Sequence, residues 1–118
     1  MKGAIAILAT TMVLFMFAVE QMNPADAASY TVTWTFGAGS WPAGKSFKAG
    51  DMIVFKYPKG VHNVAVVGSG GYSACSAAGA KVYSSGNDQL TLAKGANYFI
   101  CAIPGHCQAN LKMTVNAS

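Results

Sequence analysis

The fold turns on Tyr98-Phe99-Ile100-Cys101-Ala102-Ile103-Pro104-Gly105-His106-Cys107-Gln108, followed after Ala109-Asn110 by Leu111-Lys112-Met113-Thr114-Val115. Tyr98 to Ile103 is almost continuously apolar, as a buried strand is. Pro104-Gly105 interrupts it. Leu111, Met113 and Val115 then alternate with Lys112 and Thr114, which puts one face of a second strand inward. Cys101 falls near the end of the first strand, and His106 falls in the loop five residues later. Such a loop can fold both side chains onto one point.

The same alternation runs outward from this stretch. Tyr30, Val32 and Trp34 are separated by threonines, as in a half-buried strand. Ile53, Phe55 and Tyr57 alternate with Met52, Val54 and Lys56. Val61 to Val67 reads as a further strand, apolar except for His62 and Asn63. Lys81 to Ser84 and Gln89 to Leu92 read as short strands split by a turn at Gly86-Asn87-Asp88. Glycine and proline punctuate the chain throughout, and only Gly71 to Gly79 suits a helical turn. Many short strands between frequent turns predict an all-β sandwich or barrel.

The amino-terminal segment stands apart from this pattern. Lys2 precedes an apolar run from Ala4 to Ala18, a polar stretch follows, and Ala25 and Ala27 place small residues at −3 and −1 of a cleavage site. That order predicts a secretory leader over residues 1–27, with cleavage after Ala28 as the second choice. The apolar run is short for a membrane span of about 20 residues. The expected mature domain is residues 28–118. It is small for a self-sufficient core, so a disulfide or a metal would help it. Nothing past Val115 suggests a second domain, and no carboxy-terminal signal for a lipid anchor is expected.

Residues 28–118 carry seven lysines against two acids, Asp51 and Asp88, a net charge of +5 with no arginine. Scattered lysines without arginine argue against nucleic-acid recognition. They suit a solvated surface or attraction to acidic polymers. With two acids and no serine-centred constellation, an enzyme is not expected, and the chain is expected to be a monomer.

Three cysteines, 75, 101 and 107, lie in this part. An oxidising compartment favours pairing, and an odd count leaves one over. The two histidines supply a reason for an unpaired cysteine. His62 lies in another apolar segment that a barrel could bring to the point shared by Cys101 and His106. Two imidazoles and a thiolate in a dry pocket make a trigonal set that suits copper in electron transfer. Bound metal would hold Cys101 as a thiolate. Structural zinc takes four protein ligands, and only three good candidates exist.

These motifs resemble the phytocyanins, the plantacyanin or basic blue protein branch above all. The likeness rests on Tyr98-Phe99-Ile100-Cys101, Pro104-Gly105-His106-Cys107-Gln108, Trp41-Pro42-Ala43-Gly44-Lys45, Phe47-Lys48-Ala49-Gly50-Asp51, Val61-His62-Asn63-Val64 and Gly70-Gly71-Tyr72. It covers nearly all of residues 28–118. It implies a cupredoxin fold, a Greek-key arrangement of two β-sheets. It also implies one type 1 copper ion on His62, Cys101 and His106, a Cys75–Cys107 disulfide, and a role for Asn63 in steadying the cysteine-bearing loop.

Two departures from the family stand out. The axial position, usually methionine or glutamine, holds Leu111, which has no donor atom. Some plantacyanin-like chains called chemocyanins resemble this one in having leucine there. Met113 is two residues further along the strand, roughly 6–7 Å deeper, and reads as core. Gln108 is a weak candidate in the following turn. The glycine-rich loop that usually follows the first strand is also shortened, since Thr33 runs directly into Trp34. The resemblance implies an extracellular electron carrier with an unidentified redox partner. The competing expectation is a signalling or adhesion protein of the plant cell wall or reproductive tissue, drawn to acidic polysaccharide, with copper incidental.

Overall fold

The computed structural model describes residues 26–118. The expected leader lies outside the described residues except for its last two positions. Strands β1 (Ser29–Thr33) and β2 (Met52–Lys56) are followed by β3 (Val64–Val67), helix α1 (Ser69–Ala74), β4 (Val82–Tyr83), β5 (Asn87–Thr91), β6 (Gly95–Ile100) and β7 (Lys112–Ala117). They form two sheets, ordered β1-β2-β5 and β4-β3-β6-β7. β1 runs parallel to β2, from Ser29↔Met52 to Thr33↔Lys56. Every other strand pair is antiparallel. The chain therefore crosses between the sheets three times, after β2, after β4 and after β5.

Alternation explains which faces meet. Val32 from β1 and Trp34 just past its end, Ile53 and Phe55 from β2, Leu90 from β5, Phe99 from β6 and Met113 and Val115 from β7 all point between the sheets and are buried. Trp34 meets Phe55 edge to face at 5.1 Å between ring centres, and Phe55 meets Phe99 at 4.9 Å. These spacings suit aromatic packing. The opposite face of the four-stranded sheet has its own apolar cluster of Ala65, Ile100 and Cys107, packed by Val67, Cys75, Ala77, Ala80 and Ala102. The Cys75–Cys107 disulfide is formed there and staples the segment after α1 to the loop after β6. Cys101 is the free cysteine among the described residues.

Several element boundaries differ from the sequence expectation. The strand expected over Val61–Val67 begins only at Val64. Val61 N–H closes a turn onto the Pro58 carbonyl at 3.0 Å, and Gly60 takes φ +89°, so the chain is still turning at His62. The helix expected over Gly71–Gly79 spans Ser69–Ala74. It ends where Cys75 adopts φ +51° and the Ser76 N–H turns back to the Gly71 carbonyl. Gly71 is needed here, because a Cβ on it would lie 2.7 Å from the Ser76 carbonyl oxygen.

The expected turn at Gly86-Asn87-Asp88 lies earlier, over residues 84–86, because Asn87 and Asp88 already pair with Lys56 and Phe55. β4 is correspondingly shorter than Lys81–Ser84. The strand expected over Tyr98–Ile103 is β6, which starts at Gly95 and ends before Cys101. The shortened first loop does not disrupt the sheet edge: β1 pairs along its full length, and Trp34 N–H continues onto the Lys56 carbonyl at 2.8 Å.

Candidate metal centre

His62, Cys101 and His106 meet at one end of the sandwich, with their ligand atoms all within 4.8 Å of one another. His62 comes from the crossing between β2 and β3, held by its bridge to Lys59. Cys101 is the first residue after β6, and His106 lies in the loop that follows. The Nδ1 atoms of the two imidazoles face each other at 3.1 Å, and His106 Nδ1 lies 3.6 Å from Cys101 Sγ. Cys101 and His62 are buried, and His106 is half-buried.

Backbone contacts fix this triangle. Leu111 bridges two of its corners: Cys101 N–H donates to the Leu111 carbonyl, and Leu111 N–H donates to the His106 carbonyl, each at 3.0 Å. Asn63 ties in the third. Its Oδ1 accepts the Ala102 N–H at 2.6 Å, and its backbone carbonyl accepts Trp34 Nε1–H at 2.8 Å. Ala102 thus bonds to a side chain from the other crossing, which is why β6 stops at Ile100. Leu111 and Met113 are both fully buried, Leu111 beside Cys101 in the core and Met113 paired with Phe99. Gln108 is exposed.

The electrostatics leave His62 unprotonated. Burial, and next the facing His106, hold the His62 imidazole below the usual histidine pKa; a backbone contact at Val61 opposes this weakly. A neutral imidazole is the form that binds metal. The donor set fits a copper ion. Two imidazole nitrogens at 3.1 Å and a buried thiol converge from separate segments, and soft thiolate with imidazole is the set copper prefers. His62, Cys101 and His106 would hold it.

Two features around the site were not legible in the sequence. Phe36 lies edge-on to both histidine rings, at 5.4 Å from His62 and 5.2 Å from His106, yet is half-exposed. Its spacing from Trp34 would have sent it to the core. Tyr57, 6.4 Å from the His62 ring, donates its hydroxyl hydrogen to buried Asp88. Burial, then that carboxylate, pushes the Tyr57 pKa up to about 12. Asp88 also accepts from the Ser85 hydroxyl and amide, so its charge is spread over three donors. Tyr57 N–H donates to the Gly86 carbonyl, and a Cβ on Gly86 would fall 2.8 Å from the Tyr57 carbonyl oxygen. The alternation marked Tyr57 as apolar core and gave no sign of this link.

Two sheets of three and four strands closing over a histidine–cysteine–histidine cluster define a cupredoxin, and comparison with known proteins narrows the class. Residues 34–111 match the model of the plastocyanin-like domain. A chemocyanin from Lilium longiflorum is 50% identical over 111 residues, covering 90% of this chain and 88% of the lily protein. A basic blue protein from Cucumis sativus is 58% identical over 85 residues, covering 71% of this chain and 88% of the cucumber protein. The solved structure of cucumber basic protein, a blue copper protein, superposes with a TM-score of 0.74 at 54% identity, over 77% of this chain and all of that one. The chain belongs to the plastocyanin-like phytocyanin family, and its copper site is of type 1.

Two expected outcomes follow from this geometry. Asn63→Ala removes the side-chain bond to Ala102 and should lower copper affinity by roughly tenfold or more, as loss of a ligand-supporting hydrogen bond does. Competition with a chelator reads this. The second concerns pH. An unfolded chain protonates His62 near its ordinary pKa of 6.5, and the folded chain only at lower pH. Above 6.5 both states are neutral there and the residue contributes nothing. As pH falls through 6.5, the unfolded state binds a proton that the native state refuses, so stability drops until the folded-state pKa is passed. Urea titrations of the copper-free protein at about pH 7.5 and about pH 5.5 should show this loss, and His62→Gln should lessen it.

Proposed function

We propose that this protein is a secreted carrier of single electrons that uses one copper ion alternating between Cu(II) and Cu(I). The observation that carries this reading is the assembled triangle of His62, Cys101 and His106, clamped by backbone bonds through Leu111 and Asn63. Copper supplies the one-electron couple when bound. The chain supplies a ligand set that has little freedom to rearrange when the charge on the metal changes. His106 is half-buried beside exposed Pro104 and Gly105, so its edge is the natural exit for an electron into a transient partner. The leader-like residues 1–27 support secretion to the cell exterior.

Leu111, buried beside Cys101, would offer a bound copper no donor atom. Cu(II) gains more from a fourth ligand than Cu(I), so a leucine there favours the reduced state. We propose that His62, Cys101 and His106 alone would hold the copper, with Leu111 adding no donor and Met113 left as core.

The test is the visible spectrum of the secreted protein after addition of Cu(II). An intense blue thiolate-to-copper band is expected, and it should be absent from Cys101→Ser. In the same protein Leu111→Met should lower the reduction potential in voltammetry. A colourless protein with a titratable Cys101 thiol would overturn the electron-carrier reading. The likeness to lily chemocyanin and the net positive charge would then favour an adhesion or signalling role outside the cell. In that case retention on acidic polysaccharide should fade as salt is added.

A further inference from the structure

Asp51 is buried, 3% exposed, immediately before β2, at the end of that strand opposite the crossing that carries His62. Its Oδ2 accepts the Lys48 amide and its Oδ1 accepts the Ala28 amide, each at 2.9 Å. Both donors are uncharged while Ala28 is inside a continuous chain. A buried carboxylate held only by neutral amides is short of compensation, because burial penalises a charge that lacks an opposite one. The backbone around it is already committed: Asp51 N–H donates to the Lys48 carbonyl, and Leu92 N–H donates to the Asp51 carbonyl. Met52 N–H donates to the Ala28 carbonyl at 2.9 Å, which starts the β1–β2 ladder.

We infer that hydrolysis of the Ala27–Ala28 bond completes this site, because the new α-ammonium of Ala28 becomes the ionic partner of the Asp51 carboxylate. The inference rests on the secretory reading above, favours its first-choice cut over the second, and adds what the cut does. Water adds across the peptide bond through a leader peptidase. Ala27 leaves as a carboxylate, and Ala28 N becomes a primary amine that is protonated at neutral pH. No electron is transferred. The nitrogen already stands 2.9 Å from Oδ1, so the neutral bond becomes a charge-assisted one without rearrangement.

Neighbouring bonds would not do this. A cut one residue later deletes both the nitrogen that meets Asp51 and the carbonyl that Met52 uses. A cut earlier leaves Ala28 N as an amide. The −3 and −1 alanines, Ala25 and Ala27, place the same bond at the cleavage site. Ala28 itself is exposed, so water screens the pair and its contribution is modest.

The experiment expresses the full chain in a eukaryotic secretory cell and determines the amino terminus of the product by intact mass and sequencing. The product should begin at Ala28. Its α-amine is then blocked selectively by carbamylation at mildly acidic pH, where lysines stay protonated. Blocked and free protein are compared by urea unfolding at one fixed copper loading. Blocking should lower the folding equilibrium constant by roughly fivefold, and the same treatment of Asp51→Asn should cost nothing further. The blocking arm needs no substitution, so it remains decisive if Asp51→Asn folds poorly. A product starting at any other residue overturns the assignment of the terminus. A product starting at Ala28 that loses nothing on blocking overturns the ion pair. A chain that keeps residues 1–27 overturns the secretory reading on which both rest.

Discussion

The hydrogen bond from the Ala102 amide to Asn63 Oδ1, 2.6 Å long, joins the two segments on which the metal centre is built. His62 arrives on the crossing after β2, and Cys101 and His106 arrive on the loop after β6. Thirty-nine residues separate the two ends of that bond. It extends to the site the link made by the β3–β6 ladder, which ends at Ala65↔Ile100, beside the 3.1 Å contact between the His62 and His106 rings. With it, the residue after one histidine is locked to the residue after the cysteine. Trp34 secures the same segment from the core through the Asn63 carbonyl. The rest of the centre is local: Leu111 holds Cys101 and His106 to each other through its own backbone.

This arrangement fits a small protein that must present two neutral imidazoles and a thiol to one ion. Their convergence places like polar groups side by side in an apolar setting, which the folded chain must tolerate before metal arrives. The lowered His62 pKa is one sign of that cost. Rigid backbone clamps let the site persist against it, and metal binding returns the difference as folding stability. The disulfide between Cys75 and Cys107 closes the outer face next to the same loop, so the ligand-bearing turn is held from both sides.

Two buried carboxylates show how the fold handles charge elsewhere. Asp88 gathers Tyr57 and Ser85 and anchors the end of β2 just before the turn that leads to His62. Asp51 gathers the backbone at the opposite end of the same strand. Both lie on or beside β2 pairings, where a carboxylate can accept from loop amides that have no strand partner.

The strand-rich class and the pairing of Cys101 with His106 were legible in the sequence because each depends on chemistry within a few residues: alternation at Tyr30 to Trp34 and Leu111 to Val115, and the Cys101–His106 spacing. The Cys75–Cys107 pairing was legible only through the family likeness, since counting cysteines leaves several partners open. Tertiary structure decided the remainder. His62 sits in a turn and not a strand because Pro58 to Val61 close on themselves. β6 ends early because Ala102 finds a side chain 39 residues away. Phe36 leaves the core to cover two histidines, and Tyr57 reaches Asp88 across paired strands. Each of these depends on which distant segment comes alongside, and that is set by closure of the two sheets over a shared core, which no local pattern encodes.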